Sequence, residues 1–464
     1  MAPNRLSALD ASFLDVETAS AHMHVGWAAA FDLPEGRPAP SFEQLRDHIA
    51  RRMHRAPRYR QRLAGVPLGL ARPAWVDDER FDITRHVRRA DRGSLAELAG
   101  SVLSTPLSRD RPLWELWITE RLDDGRIGVV GKAHHCMVDG IAAVELATVL
   151  LDPEPDRPPD RPDDWRPGES PSAARRLVDG VFATARDRLA LAGSAAGLLG
   201  SPGRLATGAQ RAGGALLSSL APASPLDLLN GPISPYRALA TLARPMEELR
   251  AIKRRYGCTI NDVVLAASSG GVRRHLERHG ERPTRLKAMV PVNVRARDAA
   301  GELGNRISFI FVELPCDEPG AEERLRHISR ATRRAKTSGE PAGATTVLDL
   351  AAAAPSVLQR ALSRLVASPR TFNVVVSNIP GPQVPLWMLG CRLREAYPVV
   401  PLADRHALSI GFTAVERDAF FGIYADRDAA PDAEALAGDI GGELRALRRL
   451  SRAGSRQRAA PVAT

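Results

Sequence analysis

From Leu151 the chain reads Leu-Asp-Pro-Glu-Pro-Asp-Arg-Pro-Pro-Asp-Arg-Pro-Asp-Asp, and no apolar periodicity returns before about Ser172. Repeated proline fixes φ and removes backbone donors, so neither a helix nor an inner strand can use this stretch. It is expected to form an extended, solvated linker. The break divides 464 residues into parts large enough for separate cores. The expected organisation is an N-terminal lobe over 1–151, a linker and helical connector over 152–235, a C-terminal lobe over 236–455, and a flexible tail over 456–464.

Strand and helix patterns mix in both parts. Residues 126–135 alternate as a strand and 141–151 read as a buried helix. Further on, a helix over 246–256 leads through Gly257 to another helix that Asn261 or Asp262 would cap. Strand-like segments follow at 286–293, 307–313, 372–377, 408–415 and 420–424. This mixture predicts an α/β (α+β) fold of sheets covered by helices. Two readings are open for 173–226, where basic and Ala/Gly/Leu-rich pieces alternate: a packed helical connector, or an interfacial patch facing lipid.

The formal charge of +10 rests almost wholly on arginine, because Lys132, Lys253, Lys287 and Lys336 are the only lysines. The basic residues are dispersed and form no nucleic-acid motif, so no nucleic-acid partner is expected. Two readings of the excess are open: genomic base composition, or attraction to an anionic membrane or a phosphate-bearing substrate. Cys136, Cys258, Cys316 and Cys391 have no metal-ligand spacing and form no disulfide scaffold, which suits a reducing cytoplasm. Asp10, Asp15 and Glu17 precede any apolar core of signal-peptide length, which disfavours export. The longest tempting uncharged run, 371–391, contains Pro380, Pro382 and Pro385, so membrane contact should be peripheral.

The chemistry concentrates at Gly131-Lys-Ala-His-His-Cys-Met-Val-Asp-Gly140, the joint between strand and helix. Successive strand side chains face opposite ways, so His134 and His135 cannot both enter one small site. One should work and the other support it. A neutral imidazole can take the proton of a hydroxyl as it adds to a carbonyl. Asp139 can pair with an arginine to fix the loop, or cap the following helix without a capping box, since Ala142 stands at the third helical position. Gly140 permits tight packing or an unusual backbone angle. The motif lacks the two same-face histidines of a metalloprotease helix, so no metal is expected. Cys136 reads as a small buried residue. Ala267-Ser-Ser-Gly-Gly271 lies within a helical pattern, unlike a hydrolase elbow, and no covalent acyl-enzyme is required.

The motif His134-His-Cys-Met-Val-Asp-Gly140 resembles the HHxxxDG signature shared by CoA-dependent acyltransferases and peptide-synthetase condensation domains. Over nearly its full length the chain resembles the bacterial bifunctional wax ester synthase/acyl-CoA:diacylglycerol acyltransferase family. The matching pieces are Leu6-Ser-Ala-Leu-Asp-Ala-Ser-Phe-Leu14, Met23-His-Val-Gly26, Arg111-Pro-Leu-Trp-Glu115, Asn261-Asp-Val-Val-Leu-Ala266, Pro291-Val-Asn-Val-Arg295, Gly304-Asn-Arg306 and Ser377-Asn-Ile-Pro-Gly-Pro382. Tyr397-Pro-Val-Val-Pro401 and Asp404-Arg-His-Ala-Leu-Ser409 depart from the commoner YPxSP and GxxLNI forms, a difference that bears on acceptor preference.

The resemblance implies two chloramphenicol-acetyltransferase-like lobes with the active-site channel between them. It makes His135 the base, sets Asp139 in an ion pair for which Arg295 is the candidate partner, and leaves His134 and Gly140 in support. Trp114 and Asn261 match family positions, with core packing and a cap or backbone brace as their structural roles. Ser377 is a candidate oxyanion donor or the start of the Asn378-Ile-Pro-Gly turn. The implied activity is transfer of a long-chain acyl group from acyl-CoA to diacylglycerol, and to long-chain alcohols, with no cofactor beyond the acyl-CoA substrate. The implied location is the inner face of the membrane or a lipid droplet; oligomeric state stays open. Rival readings are a condensation-type or polyketide-linked acyltransferase with a carrier-bound donor, and a non-enzymatic lipid-droplet or membrane coat protein.

Overall fold

The computed structural model describes residues 4–67, 71–137, 149–199, 222–293, 307–337 and 356–459. Two six-stranded sheets organise them. In the first, Ile127–His134 lies between His24–Asp32 and Trp114–Thr119, antiparallel to both. All eight of its residues are buried, Lys132 and His134 included, so this alternating strand lies inside the sheet rather than with one face in solvent. The close approach of its neighbour demands glycine: a Cβ on Gly26 would lie 2.4 Å from the Gly131 carbonyl oxygen. Val87–Arg89 closes one edge of this sheet.

The second sheet runs in the order Ile307–Pro315, Arg285–Asn293, Val374–Asn378, Leu408–Val415, Asp418–Asp426, Arg237–Pro245. Each strand segment expected after residue 285 is present, within a few residues of its expected ends. The helix Met246–Tyr256 also appears as expected. Glu247 and Glu248 stand in its first turn, Lys253 to Arg255 in its last, and Gly257 closes it at φ 63°. The cap of the next helix, Ile260–Arg278, differs from expectation: Thr259 is the N-cap and Asp262 its reciprocal partner in a capping box. The threonine hydroxyl lies three residues before the Asp262 amide, the spacing a capping box needs, which Asn261 as cap would not provide.

Alternation sorts the second sheet's faces. Val374 and Val376 join Ile410, Phe412 and Phe421 in a core beneath the helices Ile260–Arg278 and Ala433–Ala459. Val375 points the other way, into a small cluster with Ala21, Met23, Phe372, Val400 and Ala403, against which Phe13, Met289 and Phe311 pack. That cluster is the seam between the two lobes.

Two features depart from the linear division of the chain. Trp387–Met388 and Cys391–Val399, inside the 236–455 segment, pair with the first sheet, where Val399 lies opposite Gly26 and Arg392 opposite Asp32. The strand His24–Asp32 would otherwise leave a row of backbone groups unpaired. The acidic linker is not free in solvent either. Asp152 pairs with buried Arg52 at 2.8 Å, Asp160 with Arg55, and Asp163 with Arg60. Trp165 lies beneath the Arg60 guanidinium. Spaced acids meeting a row of arginines turn an extended segment into a strap along the N-terminal lobe.

Candidate active site

His134 ends the central strand and His135 is the next residue, so their rings enter different surroundings. The His134 amide donates to the Leu113 carbonyl at 2.9 Å, and its Nδ1 accepts the Cys136 amide at 3.1 Å. With that lone pair committed, Nε2 carries the proton and faces the Glu17 carboxylate at 3.7 Å. Glu17 in turn pairs with Arg109. Burial, reinforced by Arg109, pushes His134 down to about 3. It is a neutral brace that shapes the turn through Met137, whose amide bonds its carbonyl.

His135 is half-buried and lies flat against Phe13, with ring centroids 3.6 Å apart and planes within 9°. Its amide donates to the Met23 carbonyl at 2.9 Å. Met23 holds a left-handed backbone, φ 50°, a strained state for a residue without a polar side chain. The His135 Nδ1 is enclosed without a hydrogen-bond partner. Nε2 is therefore the nitrogen left for chemistry. Burial pushes the ring down to about 4, so it is neutral and able to accept a proton at physiological pH.

Cys136 is buried, and burial pushes its thiol up to about 12; Cys316 is likewise at about 12, Cys258 and Cys391 at about 11. None of these is a thiolate nucleophile near neutrality. Ser268 and Ser269 are sealed within Ile260–Arg278, where Gly270 and Gly271 make room for Glu443 and Ile440. The cleft lined by Pro34, Arg37, His48, Arg52 and Asp160 holds neither motif histidine.

The other expected residues separate. Trp114 is a core residue, stacked on His86 at 4.7 Å with its indole N–H on the Tyr59 carbonyl at 2.7 Å. Its segment still serves the motif, because Leu113 supplies the carbonyl that holds His134. Asn261 is half-buried in the first turn of its helix and makes no side-chain hydrogen bond among the described residues. Ser377 is two residues beyond Val375 on one strand, which puts it on the same inter-lobe face. Asp139, Gly140 and Arg295, and most of the 141–151 helix, lie outside the described residues.

Sequence reasoning passed over Phe13, Glu17, Met23 and Arg109 as individual site residues. Phe13 and Met23 do lie in segments that carry the family resemblance, 6–14 and 23–26.

Comparison with known proteins is consistent along the chain. The family described as "Wax ester synthase/diacylglycerol acyltransferase catalytic domain" matches residues 6–264, and "WS/DGAT C-terminal domain" matches 303–448. A probable diacylglycerol O-acyltransferase of Mycobacterium tuberculosis, tgs1, is 35% identical over 452 residues, 94% of each chain. The solved wax ester synthase/diacylglycerol acyltransferase of Marinobacter aquaeolei VT8 superposes with a TM-score of 0.70 at 26% identity, covering 97% of this chain and all of that one. The starter condensation domain of rhizomide synthetase shares the two-lobed, chloramphenicol-acetyltransferase-like fold at 13% identity, with a TM-score of 0.55 and 97% and 95% of the two chains covered.

Proposed function

Because the chain belongs to the wax ester synthase/diacylglycerol acyltransferase family, we propose that it transfers a long-chain acyl group from acyl-CoA to the free hydroxyl of a diacylglycerol, and to long-chain alcohols. The observation that carries this reading is the His135 ring, held by Phe13 beside the inter-lobe seam with one nitrogen sealed and the other available. His135 Nε2 takes the hydroxyl proton as the oxygen bonds to the thioester carbonyl carbon. The tetrahedral intermediate then collapses, the C–S bond breaks, and the imidazolium returns its proton to the departing CoA sulfur. Ser377, on the seam-facing side of its strand, is our candidate donor to the oxyanion. No metal or organic cofactor enters this scheme.

The apolar seam suits the acyl chain, since burial stabilises it by about 0.8 kcal/mol per methylene. The decisive assay offers purified protein labelled palmitoyl-CoA together with a dipalmitoyl glycerol and hexadecanol, and resolves the products. Labelled triacylglycerol supports the proposal. Transfer only from a carrier-bound thioester would replace it with a condensation reaction, and lipid binding without transfer would leave a coat protein.

The pH profile tests the protonation state of His135. With its pKa at about 4, the acid limb of kcat/KM falls near there, and activity at pH 6 stays close to that at pH 7.5. A limb at 6.5 would contradict an enclosed neutral base. Folding follows the same sign: the unfolded chain takes up the proton first, so stability from this group is full above 6.5 and declines as pH falls toward about 4.

For the ion pair proposed between Asp139 and Arg295, alanine at both positions should cost no more activity than either alone. Additive losses would separate them.

We also propose peripheral attachment to an anionic lipid surface on the cytoplasmic side. No helix among the described residues is long and apolar enough to cross a membrane. The helix Ala173–Leu199 exposes Val178, Val181 and Phe182 on one face, with Phe182 73% exposed. A net charge of +10 would add attraction to that surface. Phe182→Ser should lower co-sedimentation with anionic vesicles without altering the unfolding midpoint; unchanged co-sedimentation would remove this helix from the contact.

A further inference from the structure

On the outer side of the C-terminal lobe, the end of the helix Ile260–Arg278 meets the start of Ala433–Ala459 through His275, His279 and Asp432. His275 Nδ1 lies 3.3 Å from Asp432 Oδ2, and His279 Nε2 lies 3.8 Å from Asp432 Oδ1. One ligand atom from each residue falls within 4.8 Å of the others. His275 is fully buried, and both of its ring nitrogens are enclosed without a hydrogen-bond partner. The Asp432 Oδ1 atom is enclosed and unpartnered as well. Orphaned buried polar atoms are uncommon, and a wholly buried imidazole beside an unpartnered carboxylate oxygen calls for an occupant.

The protonation pattern narrows the choice. His279 Nδ1 lies 2.9 Å from the His275 carbonyl oxygen, which can only accept, so Nδ1 carries the proton. In the neutral ring this leaves a bare lone pair on Nε2 facing a bare carboxylate oxygen. Two lone pairs then face one another, an arrangement that a cation relieves. The main-chain bond to Nδ1 is also the outer-sphere support by which ligating histidines are commonly oriented. Arg278 does not fill the role, because it bonds the other carboxylate oxygen, Oδ2, at 2.8 Å and reaches on to Asp439.

We propose that His275, His279 and Asp432 form a binding site for a first-row divalent cation, zinc foremost, with water as the fourth ligand. Two imidazoles and a carboxylate suit such an ion. Ligand–metal distances of about 2.0–2.2 Å set tetrahedral ligand–ligand edges of about 3.3–3.6 Å. One ligand atom from each residue already lies within 4.8 Å of the others, and the His279 Nε2 to Asp432 Oδ1 separation of 3.8 Å approaches such an edge. His279, the solvent-facing ligand, is free to close the remainder. The ion would staple together the two helices that cover the C-terminal core, independently of the proposed acyl transfer.

The test titrates zinc chloride into the chelator-treated full chain by calorimetry, with elemental analysis and thermal unfolding in parallel. The expected result is one zinc per chain and a Tm that climbs with zinc concentration. His279→Ala, a solvent-facing change that keeps the fold by circular dichroism, should weaken binding by more than the ~100-fold typical of outer-sphere losses and abolish the Tm rise. Asp432→Ala should do the same, while His327→Ala, which alters the surface pair with Glu313, should leave both unchanged. The proposal is overturned if the chain binds no zinc, or if its stoichiometry and Tm response persist in both ligand variants.

Discussion

Replacing His135 with alanine is expected to reduce ester formation by at least the ~10²- to 10⁴-fold that a positioned general base contributes, with little change in the unfolding midpoint. The structure separates these two effects. The side chain is half-buried, its Nδ1 bonds nothing, and the packing it loses is the stack on Phe13. A stack of this kind is worth about 0.5–1.5 kcal/mol beyond its area, a small part of ordinary folding stability. The main-chain bond to Met23 survives the substitution. His134→Ala should behave differently, because it removes the acceptor of the Cys136 amide and the neighbour of Glu17. It should retain measurable turnover at lower stability. Near-wild-type turnover in His135→Ala would exclude that ring from proton transfer.

The largest expected loss of stability comes from the buried pair of Arg237 and Asp426, 3.1 Å apart and both closed to solvent. Asp426 also accepts the Ser234 amide and hydroxyl at 2.7 and 2.9 Å and the amides of Asp428 and Ala429 at 3.0 and 2.7 Å. Arg237 donates to the carbonyls of Ser234 and Tyr236 and, across the seam, to that of Ser20. Asp426→Ala leaves an uncompensated buried guanidinium, so unfolding free energy should fall by about 3–5 kcal/mol. Replacing both residues, Arg237→Met with Asp426→Leu, should recover part of the loss, because the buried charge then goes too. Urea unfolding of the singles and the double measures the coupling. Single variants within about 0.5 kcal/mol of wild type would show that the pair does not anchor the lobe. The Ser20 contact adds a kinetic consequence: the loop from Glu17 to Met23 carries both the His134 neighbour and the His135 carbonyl partner. Arg237→Met should therefore lower kcat under conditions where the chain remains folded.

Elements with local signals were legible in the sequence. Met246–Tyr256 has charged residues matched to its dipole and a left-handed glycine at its end, all within a dozen residues. Leu408–Val415 is an apolar run whose length admits a strand, and the strand fills it from end to end. The linker shows the limit of such reading. Its composition is that of a solvated segment, yet Arg52, Arg55 and Arg60, about a hundred positions earlier, convert its acids into a strap. Cys391–Val399 shows the same limit for sheets, since no property of that segment names His24–Asp32 as its partner.

Within the motif, covalent order alone determined that the adjacent histidines would project oppositely from the end of a strand, because the backbone repeat there is two residues. Family likeness in distant segments supplied the reaction. Tertiary structure decided how the rings differ. Glu17, Arg109 and the Cys136 amide enclose one, while Phe13, more than a hundred residues away, flattens the other against the inter-lobe seam. The physical reason is that proton affinity depends on burial and on the charges and hydrogen-bond partners around a ring. For these two histidines, identical in chemistry and adjacent in sequence, chain segments far away in the sequence supply most of that environment.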